Sequence, residues 1–189
     1  MKIKSKIKNA YFEKWHSPIG RCQSLWLSAT LQTIDSVHFF FRLESDVAKD
    51  IHVMSLSRRH PYRMTDEDLA YGSIGKYLEP IHPKEGEPKF YHTYKLWGTN
   101  LIEDLDQFKV LSAYKKKRDK NIFEYLIITQ DEWIELILYP YEPSWEVFHD
   151  VKIDTLIDYY LKKSRSDNKI NTLEDYYRHI KKVSRLSKS

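Results

Sequence analysis

Three short runs rich in β-branched and aromatic residues, Ile122 to Thr129, Trp133 to Tyr139 and Trp145 to Phe148, follow one another with only Gln130 to Glu132 and Pro140 to Ser144 between them. Connections this short favour hairpins over parallel crossovers, which need about a dozen residues or more. A fourth run, Phe108 to Tyr114, precedes them across the polar stretch Lys116 to Asn121. This spacing predicts an antiparallel meander in the C-terminal half and constrains the fold more than any other feature of the chain.

The rest of the sequence surrounds that meander with helices and further strands. Lysines alternate with Ile3, Ser5 and Ile7 at strand period, while Ile3, Ile7, Ala10, Tyr11 and Trp15 also make a helical stripe, so residues 2–15 read equally as strand or helix. Ser17-Pro18-Ile19-Gly20 breaks the chain. Leu25, Leu27, Ala29 and Leu31 alternate with Trp26, Ser28 and Thr30, and Val37 to Leu43 is aromatic and β-branched, predicting two strands joined around Asp35-Ser36. Ile51 to Leu56 predicts a third. Thr65, followed three residues later by Asp68, resembles the cap of a helix running to about Leu78, although Gly72 and Gly75 would each weaken it by about 1 kcal/mol. Pro80, Pro83, Gly86 and Pro88 mark an irregular loop, Phe90 to Trp97 is a short aromatic run, and Thr99 or Asn100 would cap a short acidic helix. Asp154 opens a helix with Leu156, Ile157, Tyr160 and Leu161 on one face. After the polar stretch Ser164 to Asn171, Thr172 caps a last helix with Leu173, Tyr176, Tyr177, Ile180 and Val183 at helical spacing. Strands in runs with helices between and after them predict an α+β fold, an antiparallel sheet with helices packed on one side. Residues 1–189 read as one domain, with 165–189 a basic amphipathic helix that is either part of it or an appendage.

Composition agrees with such a domain. The 189 residues include 27 Trp, Tyr and Phe, more large apolar area than a disordered chain carries. The longest strongly apolar stretches, such as Val37 to Phe41, are far short of the 18 or so residues of a spanning helix. No apolar segment and small-residue cleavage site follow the basic start, so the expected location is cytoplasmic. The lone Cys22 rules out an internal disulfide and a cysteine-based zinc site. Charge is uneven. Residues 1–21 carry six cations and one acid, residues 162–189 nine cations and three acids, so within a formal total of +4 the body between them stands at −7. An acidic body repels phosphate backbones and steers cationic partners inward, while the basic ends serve solubility or an anionic partner.

Several chemistries lack their residues. The eight histidines form no HxxxH or HExxH pair, so a metal site would have to be assembled wholly by folding, and none is expected. The five glycines form neither GxxxxGK[ST] nor GxGxxG, and the chain contains no GxSxG elbow. No cofactor and no enzymatic activity are expected; a small hydrolase built from dispersed histidines and acids is the reading that metal analysis would test. The run Arg58-Arg59-His60-Pro61-Tyr62-Arg63 is the best candidate for an anionic ligand, since guanidinium forks match phosphate oxygens. Arg58, Arg59, His60 and Arg63 would carry a nucleic-acid-binding or nuclease-like function together with the basic termini, unless acids such as Asp66, Glu67 and Asp68 neutralise them.

The strongest candidate surface lies in the meander, where Asp131, Glu132, Trp133, Glu135, Tyr141, Glu142, Trp145 and Glu146 interleave carboxylates with large rings around two hairpin ends. Rigid aromatics anchor interfaces, and acids beside them neutralise Arg or Lys on a partner. The competing account is that Trp133 and Trp145 fill the core while the acids face water. The stretch from Trp133-Ile134-Glu135-Leu136 through Pro143-Ser144-Trp145-Glu146, with the small aromatic-rich α+β plan, resembles the immunity proteins that neutralise polymorphic bacterial toxins. That resemblance implies a stoichiometric inhibitor that docks on a cognate toxin with a cationic contact surface and occludes its active site.

Overall fold

In the computed structural model, which describes residues 11–22, 24–43, 49–58, 60, 62–66, 92–97, 123–138, 143–165 and 170–186, the aromatic run after Asp35-Ser36 lies at the centre of the molecule. The described residues form strands β1 (Tyr11–Lys14), β2 (Leu25–Gln32), β3 (Ser36–Leu43), β4 (Ile51–Ser57), β5 (Tyr62–Asp66), β6 (Thr93–Trp97), β7 (Phe123–Ile128), β8 (Glu132–Leu138) and β9 (Ser144–Phe148), then helices α1 (Ile153–Arg165) and α2 (Leu173–Leu186). They make two antiparallel sheets, the first in the order β1-β6-β7-β8-β5 and the second β2-β3-β4-β9. The fold is α+β, as the order of strand and helix signals predicts.

Side chains alternate across a strand, and β3 uses both of its faces. Val37, Phe39, Phe41 and Leu43 meet Tyr125, Ile127, Ile134, Leu136 and Leu138 of the first sheet in one core. Phe40 points the other way, and with Ile51 and Val53 of β4 it packs under Leu156, Tyr159, Tyr160, Ile170 and Tyr176 of the helical segment in a second core. The second sheet is therefore the middle layer between the first sheet and the helices. Burying an aromatic side chain of this size contributes roughly 2 to 3 kcal/mol, so β3 supports both layers at once.

In β2 the sequence pattern and the structure part company. Its apolar positions keep strict alternation, but the register with β3 shifts between Leu27 and Ala29. This bulge inserts one extra residue, so Leu25 and Leu27 face the inter-sheet core while Ala29 and Leu31 face the helices.

The meander stops after its first hairpin. β7 pairs with β8, but β9 pairs with β4 in the second sheet, with Met54 opposite Trp145 and Val53 opposite Glu146. Between Leu138 and Ser144 the chain therefore passes from one sheet to the other. Thr65 is likewise in β5 and paired with Trp133, so it does not cap a helix; Met64 and Thr65 alternate across the sheet. The remainder of that expected helix, the acidic helix after Asn100 and the run Phe108 to Tyr114 lie outside the described residues. Of residues 2–15, Tyr11–Lys14 form an edge strand paired with β6.

α1 begins one residue before the expected Asp154, and α2 follows Thr172, whose hydroxyl accepts from the Asp175 N–H at 3.1 Å while Asp175 accepts from the Thr172 N–H at 3.1 Å. This reciprocal pair satisfies two helix-end donors. Its partners hold the Asp175 carboxyl below the usual carboxylate range, the Thr172 hydrogen bonds first among them. The Tyr176 hydroxyl donates to Asp158 at 2.7 Å and so ties α2 to α1. Burial, then this bond, pushes the Tyr176 hydroxyl up to about 12. Asp158 also accepts from Lys162 at 2.7 Å, which with Tyr176 holds its carboxyl low. From Lys181 to Val183 every side chain of α2 is exposed, so this stretch lies past the core that Leu173, Tyr176 and Ile180 cover. Among the described residues no helix is long and apolar enough to cross a membrane.

Candidate partner-binding surfaces and a cationic cleft

Of the eight residues expected to form an acidic, aromatic docking face, the six that are described are not assembled into one. Tyr141 and Glu142 lie outside the described residues. Trp133 is 1% exposed and Glu135 2% exposed. β8 lies between β7 and β5, and its two faces are both buried: Ile134, Leu136 and Leu138 point into the inter-sheet core, Trp133, Glu135 and Ile137 to the opposite side. Trp145 packs on the inter-sheet core against Phe41 and Trp15, at ring separations of 6.2 and 6.1 Å. Glu146 accepts the Tyr160 hydroxyl proton beneath α1. Both indoles thus serve packing, and Glu135 and Glu146 are committed to internal partners.

Acidity survives at one end of the first sheet. Asp131 is exposed in the β7–β8 turn, and Glu132 at the start of β8 stands opposite Asp66 at the end of β5. Like charges directly opposite on paired strands oppose that pairing, so this juxtaposition works against stability. The turn is closed by Thr129, whose hydroxyl donates to the Glu132 carbonyl at 2.7 Å and accepts from the Glu132 N–H at 3.0 Å. The Gln130 N–H donates to the Leu25 carbonyl at 2.9 Å, which fixes the turn against the start of β2.

The Arg58 to Arg63 run is also divided. Arg63 makes its ion pair with the buried Glu135 across β5–β8 and not with Asp66, because residues 63 and 135 are register partners on the same face. His60 is turned toward the Ile137 backbone, and burial pushes its imidazole below the ordinary value. Arg59 lies outside the described residues. Arg58 is exposed just after β4, its N–H donating to the Asp35 carbonyl at 2.8 Å. There it lines a cleft of about 410 Å³ between the β2–β3 turn and the last turn of α1, and Arg165 of α1 lines the same cleft. The sequence places Arg165 only in the general basicity of the C-terminal part; nothing in the local pattern links it to Arg58.

A buried polar network lies between α1 and the second sheet. His38 Nδ1 is 2.7 Å from the Ser55 hydroxyl across β3–β4, and its ring lies 4.2 Å from that of Tyr160. Lys163 donates to the Tyr159 hydroxyl at 3.1 Å, and its ammonium lies 5.3 and 5.7 Å from the Tyr159 and Tyr160 ring centres. Burial, then the nearby Lys163 charge, pushes His38 down to about 4. Burial, then Glu146, pushes the Tyr160 hydroxyl up. A serine beside a histidine is the outline of a nucleophile and its base, but an imidazole this depressed is a weak base at neutral pH, and Tyr160 covers its ring. The network fixes α1 on the sheet. Cys22 is buried too, its thiol directed to the Ile19 carbonyl at 3.6 Å.

No protein-family model, curated protein or solved structure matches this chain.

Proposed function

We propose that this chain is a non-enzymatic inhibitor of the immunity kind, which docks on a cationic surface of a toxin and occludes its active site. The contact is narrower than the one expected from the sequence and centres on Asp131, Glu132 and Asp66. The observation that carries this reading is the meeting of these carboxylates at one sheet end, with Glu132 directly opposite Asp66. Like charges directly opposite on paired strands oppose that pairing, whereas a partner bearing Arg or Lys gains attraction and a faster approach. The rival nucleic-acid reading loses its contiguous patch, since Arg63 is neutralised by Glu135 and His60 faces inward.

The test is calorimetric titration of the purified chain with toxin domains that present a cationic surface. Expected is one-to-one binding that the double variant Asp131→Lys, Glu132→Lys weakens at least about tenfold, with a slower association rate, because rim charges act mainly on the rate of approach. Unchanged binding by the double variant rejects this surface. Turnover of a substrate by the isolated chain rejects the inhibitor reading itself.

A further inference from the structure

The cleft that joins Arg58 to Arg165 lies outside the acidic end and is independent of the function proposed above. β2 separates them: Leu25 at its start accepts from the acidic turn, and residues just beyond its other end line the cleft. Eight residues of strand span roughly 25 Å.

Two guanidinium groups in one concavity repel each other, and arginine cannot relieve this by losing its proton. Neither Arg58 nor Arg165 makes an ion pair with a described carboxylate, and among the described residues no acid lines the cleft. Helix-end electrostatics do not account for both. A cation in the last turn of α1 offsets the negative end of the helix dipole, but Lys162 and Lys163 already stand in that turn, and Arg58 comes from a different element. The hydroxyls nearby are committed: Thr33 donates to the Ser36 carbonyl at 3.1 Å and Ser164 to the Leu161 carbonyl at 2.8 Å. Among the described residues, the donors lining the cleft are therefore the guanidinium groups and the Gln32 amide, with Ile34 and Leu161 as apolar walls.

We propose that this cleft binds a small phosphomonoester. Two fixed positive charges match a group carrying about −1.5 to −2 at neutral pH, whereas a single carboxylate leaves one of them uncompensated. The cleft is open to solvent and about 410 Å³ in volume, room for a phosphate and a small organic group held mainly through its charge. The apolar walls favour a ligand with an organic part beyond its phosphate. A polymer of phosphates calls for a track of cations, and the next candidates along the chain, His60 and Arg63, are turned to Ile137 and Glu135.

Calorimetry at low ionic strength with adenosine monophosphate and glycerol phosphate tests the site, set against adenosine, glycerol, inorganic phosphate and a short RNA. Both monoesters should bind one-to-one and at least about tenfold more tightly than adenosine or glycerol. Arg58→Gln and Arg165→Gln should each weaken the monoesters about tenfold or more, with unchanged circular dichroism, because both side chains are exposed. Arg178→Gln, which removes an exposed arginine from α2, should leave binding intact. Absence of monoester binding, or indifference to both cleft variants, overturns the proposal. Inorganic phosphate binding as tightly as the esters reassigns the cleft to the free anion, and RNA binding with a steep salt dependence where the monoesters fail reassigns it to nucleic acid; either result overturns the ester.

Discussion

Glu135 illustrates how a single position decides what the meander can do. A carboxylate almost wholly withdrawn from water is tolerated only beside a cation, and Arg63 supplies one from the neighbouring strand. Arg63→Met should cost about 2 kcal/mol in urea unfolding, less than for a fully buried pair because Arg63 is partly exposed, and adding Glu135→Leu should restore most of it. A double variant no more stable than the single one would show that the charge is not the source of the loss. His38 makes a prediction with a definite sign. Its folded value near 4 lies below the ordinary 6.5, so the unfolded chain binds the extra proton first. The neutral ring's contribution is complete above about pH 6.5 and is lost as pH falls toward 4, by up to roughly 3 kcal/mol. His38→Gln should flatten the wild-type decline over that window in unfolding measured from pH 7 to 4. At this scale the sequence is legible only in part. Alternation puts Trp133 and Glu135 on one face of their strand, but nothing in the alternation says that this face is withdrawn from water, and Arg63 lies 72 positions away from its partner. A polar residue among aromatics looks the same in either case.

At the scale of elements, two turns repeat one solution. Thr33 bonds through both its N–H and its hydroxyl to the Ser36 carbonyl and accepts the Ser36 N–H; Thr129 does the same with Glu132. Each turn has Asp at its third position, Asp35 and Asp131. One of these threonines presents the acidic end and the other borders the cationic cleft, so a common local device sets up both surfaces. Thr33→Val and Thr129→Val should each destabilise by about 1 kcal/mol through the lost side-chain hydrogen bonds. Thr172→Ala should cost about 1 kcal/mol for the helix cap. Thermal unfolding of the three variants checks these values, and a neutral Thr129→Val would mean that the backbone alone holds the turn. The hairpins around these turns and both C-terminal helices are readable from periodicity and caps, because those signals are local. The departure of β9 to the other sheet is not. Five residues between β8 and β9 permit either a hairpin or a passage between sheets, and the choice rests on β4 offering Val53 and Met54 as register partners.

For the whole molecule, the decisive feature is that neighbouring residues of β3 belong to different cores. Phe39 lies between the sheets and Phe40 under the helices, and both are fully buried. Were the helical layer a separable appendage, loosening its core would melt α1 and α2 while leaving the inter-sheet core in place. Because one strand carries both cores, a defect in either raises the free energy of the same backbone. Phe39→Ala and Phe40→Ala should each cost about 3 to 5 kcal/mol, and in both variants the helical signal in the far ultraviolet and the tryptophan fluorescence should fall in one coincident transition. Fluorescence is well placed to report on the inter-sheet core, since Trp15 and Trp145 pack there, whereas the helices report on the other. An early loss of helix in Phe40→Ala, with fluorescence unmoved, would divide the molecule into two units. It would also place Arg165 of the cleft on a layer able to detach from Arg58, so the cooperativity of unfolding bears directly on whether the two guanidinium groups are held in a fixed relation before any ligand arrives.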